Sequence, residues 1–336
     1  MSMRNVSPAV RKHTRRDVIL GGSAFALCVR DGDGFAQDAF PSRPVTLIVP
    51  GLPGGGFDPI ARAISEHAAR SFGQPVVLEH KPGGTMTIGP ATMVANARTD
   101  GHTVSMIVST IVRIPLMQKV PFDPFEDLTH IIQLCELTIG VVTRADMPFG
   151  SVASVVEFAK SNPRKLTFGT PGVGSSAHFG LEQFARRAGI TMTHVPFRGA
   201  PEGIAALLGG HIQLYVSASE WKPQVAAGQF RLLGVFSETR RASWPDTPTF
   251  TELGFPTALG AATFGIAGPK AMPPGTVARL HDTFKAALDD PKTREILAQH
   301  ELVPSYRSGA DYRRYLEETA LVDKEMVVAL GLRRKD

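Results

Sequence analysis

Two glycine-rich stretches, each set between an apolar run and a helical pattern, hold the groups best suited to chemistry in this sequence. The first is Pro50-Gly51-Leu52-Pro53-Gly54-Gly55-Gly56-Phe57-Asp58. The second is Gly169-Thr170-Pro171-Gly172-Val173-Gly174-Ser175-Ser176-Ala177-His178. Such turns leave backbone N–H groups uncovered, and a following helix starts with up to four more that lack an intrahelical acceptor. The helix dipole adds partial positive charge at the same end. An anion can be held there without an arginine. Hydroxyls on Thr170, Ser175 and Ser176 add donors suited to a carboxylate. One such turn is an ordinary helix start; two in separate parts of the chain describe paired sites on a cleft.

Other chemistries fit these residues less well. Gly172-Val173-Gly174-Ser175-Ser176-Ala177 matches a G-x-G-x-x-A dinucleotide fingerprint, but no acidic residue follows at the required distance. No G-x-x-x-x-G-K-[ST] phosphate loop is present. Ser175 and Ser176 do not sit in a G-x-S-x-G elbow, although a hydrolase using Ser175 and His178 is a rival reading. His178 otherwise reads as a cap or a cleft-wall residue. The histidines are scattered, which gives no metal signature, and nothing calls for a cofactor. Asp289-Asp290 and Glu317-Glu318 read as caps and solvated faces, and Asp123, Glu126 and Asp127 as turn residues.

The elements that must position these turns alternate between strand and helix, which predicts an α/β chain. Pro44–Pro50 reads as a first strand. Asp58 is then an N-cap with Pro59 at the first helical position. Ile60, Ile64, Ala68 and Phe72 recur every four residues, and Gly73 ends that helix. Strands are expected at 75–79 and 102–108, with helical character at 88–97. Residues 139–143 read as a strand crossing into a second domain. There, Ser151 caps a helix, 165–169 is a strand before the second glycine-rich turn, and strands recur at 193–197, 212–216 and 232–236. Residues 264–268 form the return crossing, and two or three helices finish the chain. The organisation expected is domain 1 from 37–141 plus 263–336, and domain 2 from 142–262. About 300 residues exceed what one hydrophobic core usually spans.

Residues 1–36 read as a cleaved signal peptide. Arg11, Lys12, Arg15 and Arg16 precede an apolar run from Val18 to Val29. That run is too short for a bilayer of about 30 Å. The Arg15-Arg16 pair suggests twin-arginine export to the periplasm, with cleavage after Ala36. A disordered basic tail, or a lipid anchor at Cys28, is an alternative. The leader carries six Arg/Lys and three Asp, so +3 of the chain's net +5 belongs to it and +2 to the remainder. The basic balance is therefore no sign of a nucleic-acid partner. Cys135 is then the lone cysteine, read as a buried small hydrophobe.

From Pro41 almost to the C-terminus the chain resembles the Bug/TctC family, periplasmic solute-binding receptors of tripartite tricarboxylate transporters. The matching pieces are Pro41–Val45, Val49–Arg62, Lys81–Gly84, Asp100–Thr103, Gly172–His178, Val195–Gly199 and Pro245–Thr249 with Glu252–Gly254. The resemblance implies a two-domain, Venus-flytrap α/β fold of the periplasmic-binding-protein type and reversible binding rather than catalysis. It implies a small organic carboxylate held by both junctions, delivery to a two-subunit integral membrane permease, and a monomeric receptor; a sensory receptor is the alternative. By position, the ligand-binding candidates are Pro53, Gly54, Gly55, Gly56, Phe57 and Asp58, with Thr170, Gly172, Val173, Gly174, Ser175, Ser176 and His178. Asp58 is expected to order its loop and cap its helix. Phe57 replaces a small residue and is read as an apolar wall. Gln213 stands where an aspartate is frequent, and no acidic residue is read in the turn after Ser219 to meet a ligand amine. On those grounds the expected ligand is an organic acid with an apolar or aromatic body, rather than an amino acid.

Overall fold

A computed structural model describes residues 40–237, 239–256 and 262–334. The leader reading of residues 1–36 lies outside these. The described chain folds around two sheets. Strands β1 (Val45–Val49), β2 (Val76–His80), β3 (Thr103–Val108) and β4 (Leu128–Leu137) come first. They are followed by β5 (Ile139–Arg144), β6 (Thr167–Thr170), β7 (Thr193–Pro196), β8 (Leu214–Ser217) and β9 (Phe230–Phe236). The last strands are β10 (Thr263–Pro269) and β11 (Leu302–Ser308). One sheet has the order β11-β4-β10-β3-β1-β2, the other β7-β6-β8-β5-β9.

Helices α1 (Asp58–Phe72), α2 (Ile88–Asn96) and α3 (Ile114–Met117) belong with the first sheet's opening strands. Helices α4 (Val152–Ser161), α5 (Ser176–Ala188), α6 (Ala200–Leu208) and α7 (Lys222–Ala226) fall among the second sheet's strands. Helices α8 (Pro274–Asp289), α9 (Pro291–Gln299) and α10 (Gly309–Ala329) close the chain. The four-residue spacing on α1 buries Ile60, Ile64, Ala68 and Phe72 in the core, with Phe72 edge-on to Phe284 of α8, and Gly73 ends the helix at φ 66°.

The two sheets share a design. In each, a central strand pairs in parallel with its next two parallel neighbours: β1 lies between β2 and β3, and β6 between β7 and β8. The strand after these is antiparallel, β10 beside β3 and β5 beside β8. At β1 and at β6 the chain order reverses, and the carboxyl ends of strands at such points open onto crevices.

The crossing differs from the sequence expectation. Strand β5 pairs along its length with β8 and β9, so Ile139 to Val141 belong to the second sheet and the chain changes sheets at Thr138, not after position 141. Two strands went unread. β4 is buried on both faces around Ile131, Ile132, Leu134 and Cys135, so it shows no alternation. β11 is a polar edge strand that carries Pro304 at a register shift, a place where proline costs no ladder bond. Cys135 is fully buried, and burial raises its thiol.

Candidate functional site

The first junction leaves the carboxyl end of β1. Its loop is tied internally: Gly55 N–H donates to the Leu52 carbonyl at 3.1 Å, and Asp58 N–H to the Gly55 carbonyl at 3.0 Å. Gly54, at φ 73°, occupies left-handed space that a side chain would strain. Asp58 is not the N-cap. It is the first helical residue, with Phe57 in the cap position and no side-chain cap bond. The buried Asp58 carboxylate turns back instead, accepting from Gly54 N–H at 3.0 Å and Arg62 Nε at 2.8 Å, and lying 2.9 Å from His80 Nε2. Burial opposes its charge, but the bonds from Arg62, Gly54 and His80 outweigh that and hold the carboxyl below its usual range.

Asp58 therefore orders the loop, and Gly54 gives its N–H to the protein rather than to a ligand. The Phe57 ring is also not a cleft wall. It lies in the core with its centroid 4.2 Å from that of Phe264, because Gly51 has no Cβ to block it. What Phe57 offers is its backbone. Among the described residues, the N–H groups of Gly56, Phe57 and Ile60 meet no acceptor in the protein. Pro53 is exposed at the tip of the turn.

The second junction leaves the carboxyl end of β6. Ser175 is the N-cap of α5, its hydroxyl accepting from His178 N–H at 3.2 Å. Ser175 N–H reaches the Gly172 carbonyl at 3.2 Å, and Gly174 N–H donates to His178 Nδ1 at 3.3 Å. The His178 ring stacks on His194 at 4.0 Å, and His194 Nε2 lies 2.7 Å from the hydroxyl of fully buried Thr170. Burial first, then His194 and Arg113, push His178 down to about 3, and burial pushes His194 to about 4. Both rings are neutral near pH 7.

Thr170 and His178 thus brace the turn from behind. Ser175 Oγ faces its own helix amide while His178 Nδ1 faces Gly174, so the two do not form a nucleophile–base pair. Among the described residues, the N–H groups of Val173, Ser176 and Ala177 meet no acceptor and the Ser176 hydroxyl has no partner.

Each junction is met by an element of the opposite sheet. A Cβ on Gly174, at φ 81°, would stand 3.0 Å from Met117 Sδ and 3.2 Å from Ile114 Cδ1 of α3. Beside them Arg113, one per cent exposed, donates to the Gly174 carbonyl at 3.0 Å, pairs with buried Asp323 of α10 at 2.7 Å and lies 4.2 Å over the Phe179 ring. The sequence signal for Arg113 was a lone charge inside the apolar run Ile111 to Leu116.

At the first junction, a Cβ on Gly56 would stand 3.3 Å from Oε1 of Glu220, in the turn after β8. Glu220 is the acidic residue the sequence reading passed over. Its Oε2 is shut off from solvent with no hydrogen-bond partner, and burial raises the carboxyl. Among the described residues, no three or more His, Cys, Asp or Glu side chains gather into a set that could hold a metal ion.

Comparison with known proteins bears on this arrangement. The profile described as TctC, tripartite tricarboxylate transporter family receptor, matches residues 60–332. A Cupriavidus necator protein, the UPF0065 protein in the gbd 5′ region, is 36% identical over 295 residues, which is 88% of this chain and 90% of the relative. A solved periplasmic transporter superposes with TM-score 0.79 at 29% identity, covering 88% of this chain and 99% of its own. R. palustris Rpa4515 with adipate superposes with TM-score 0.80 at 26% identity, covering 87% and 98%. The two-sheet α/β architecture is that of these periplasmic binding proteins, and the chain belongs to the TctC family of tripartite tricarboxylate transporter receptors, periplasmic solute-binding proteins rather than enzymes.

Proposed function

We propose that this receptor captures a small organic carboxylate between two domains, residues 37–138 plus 263–336 and residues 139–262, and passes it as a monomer to a two-subunit integral membrane permease. The observation that carries the reading is the set of six unpaired amides, from Gly56, Phe57, Ile60, Val173, Ser176 and Ala177, at the starts of α1 and α5. A carboxylate supplies the acceptors these groups lack, and hydrogen bonds to a charged group contribute about 1.5–3 kcal/mol each. The adipate held by Rpa4515 supports the same ligand class. The basic segment ahead of the apolar run Val18 to Val29 supports export through the twin-arginine route.

Ser176 provides the test. It is the first helical residue of α5, where proline fits the backbone and removes an N–H that the helix does not use. Ser176→Pro deletes that donor and the hydroxyl without breaking an internal bond. Calorimetry on residues 37–336 with adipate and related mono- and dicarboxylates should show affinity for any binder falling at least tenfold, with the melting temperature held. Unchanged affinity refutes the site.

A further inference from the structure

We infer that Glu220 selects for a ligand whose carboxylate is accompanied by a protonated amine. The inference rests on the carboxylate-capture reading and names the ligand class more narrowly. Glu220 stands on the second sheet's turn, yet its side chain reaches the Gly56 loop of the first junction, 3.3 Å from where a Gly56 Cβ would lie. It therefore lies beside the loop that carries the unpaired Gly56 and Phe57 amides.

On a half-buried residue, a carboxyl oxygen that is shut off from solvent and unbonded is an expensive arrangement unless something supplies the missing partner. The Ser217 hydroxyl and the residue's own N–H favour the charged form of Glu220, but among the described residues Oε2 itself has no hydrogen-bond partner. Lys222, two residues on, is engaged by Glu301 at 2.7 Å and by the Gln299 carbonyl. Arg113 is held by Asp323 and Gly174, and Arg62 by Asp58. Among the described residues no basic side chain offsets burial here, and burial lifts the Glu220 carboxyl against the lowering effect of its own N–H and the Ser217 hydroxyl.

A ligand bearing only carboxylates would bring like charge against this group. An ammonium placed between the ligand's carboxylate and Glu220 offsets the charge of both, whereas a neutral hydroxyl can donate a hydrogen bond but brings no opposing charge. The grounds for expecting an amine-free ligand are also gone, because Phe57 is in the core and the turn after Ser219 does hold an acid.

The test uses residues 37–336 and acids matched in pairs that differ only in the amine: glutamate and glutarate, aspartate and succinate, phenylalanine and 3-phenylpropionate, 4-aminobutyrate and butyrate. Thermal shift finds the binders and calorimetry measures them. At least one amino acid should bind ten times more tightly than its deaminated partner. Glu220→Gln, which keeps the side chain's size, should abolish that preference without lowering the unliganded melting temperature. Glu220→Asp should keep part of it. Deaminated acids binding as well or better, or a preference that survives Glu220→Gln, overturns this inference and leaves carboxylate capture standing. Binding of neither series removes both.

Discussion

Replacing Arg113 with methionine should destabilise the protein and weaken its ligand, and the two losses should separate. Asp323 is fully buried, and its partner's guanidinium sits 2.7 Å away. Burial raises the Asp323 carboxyl, and Arg113 is what opposes that. Removing one member of a buried pair leaves an uncompensated charge, at a cost of about 3–5 kcal/mol, whereas replacing both with apolar groups is often neutral. Arg113→Met alone should lower the melting temperature by roughly 6–20 °C, at about 2–4 °C per kcal/mol, and Arg113→Met with Asp323→Leu should recover most of that. Neither variant can donate to the Gly174 carbonyl, a charged bond of about 1.5–3 kcal/mol. Ligand affinity should therefore stay about tenfold to a hundredfold low in both, since 1.4 kcal/mol is a factor of ten. Differential scanning calorimetry and binding calorimetry on the wild type, these two variants and Asp323→Leu alone complete the cycle. A double variant as unstable as the single would show that the ion pair is not what Arg113 serves. A double variant with wild-type affinity would show that Gly174 needs no help from across the cleft.

Gly174→Ala meets two obstacles, a left-handed backbone costing about 1–2 kcal/mol for a side chain and Met117 Sδ at 3.0 Å. Because Met117 belongs to the opposite sheet's surroundings, affinity should fall about fivefold or more, and calorimetry showing no change would count against closure around this turn. Burial holds His178 at about 3, and His130 and His194 at about 4, all below the ordinary 6.5. The unfolded chain thus takes up more protons than the folded one below pH 6.5. Stability should be constant above that pH and decline steadily towards pH 4, and a melting temperature flat across this window would contradict the neutral, buried rings.

Much of this was visible in the residues because it depends on local chemistry. The i, i+4 recurrence of Ile60, Ile64, Ala68 and Phe72 set the inner face of α1, and Ser151 caps the helix the sequence assigned it, whereas Ser175, read as a ligand donor, turns out to be the cap of α5. The glycine-rich turns were legible because few folds need three consecutive glycines after an apolar strand. What escaped was decided by tertiary partners. Nothing local says that Asp58 will prefer Gly54 and His80, 22 residues away, to its own cap position. Phe57 could be assigned to the core only by knowing that Phe264, some two hundred residues on, forms the other side of its slot. Glu220 was hidden by its setting, an acid between Ser219 and Trp221 that looks like any solvated turn until the opposite sheet covers it.

The turns proposed to face the ligand are rich in glycine but not slack. Asp58 fastens Gly54, Leu52 fastens Gly55, and His178 fastens Gly174. A loop of this composition, left free, would have to lose its disorder at the moment of capture, and that loss would be subtracted from affinity. Here the disorder is lost once, during folding. On the proposed reading the amides are held in fixed directions by the protein's own bonds, so selectivity is exercised at first encounter and an ill-shaped solute finds a surface that does not mould itself around it.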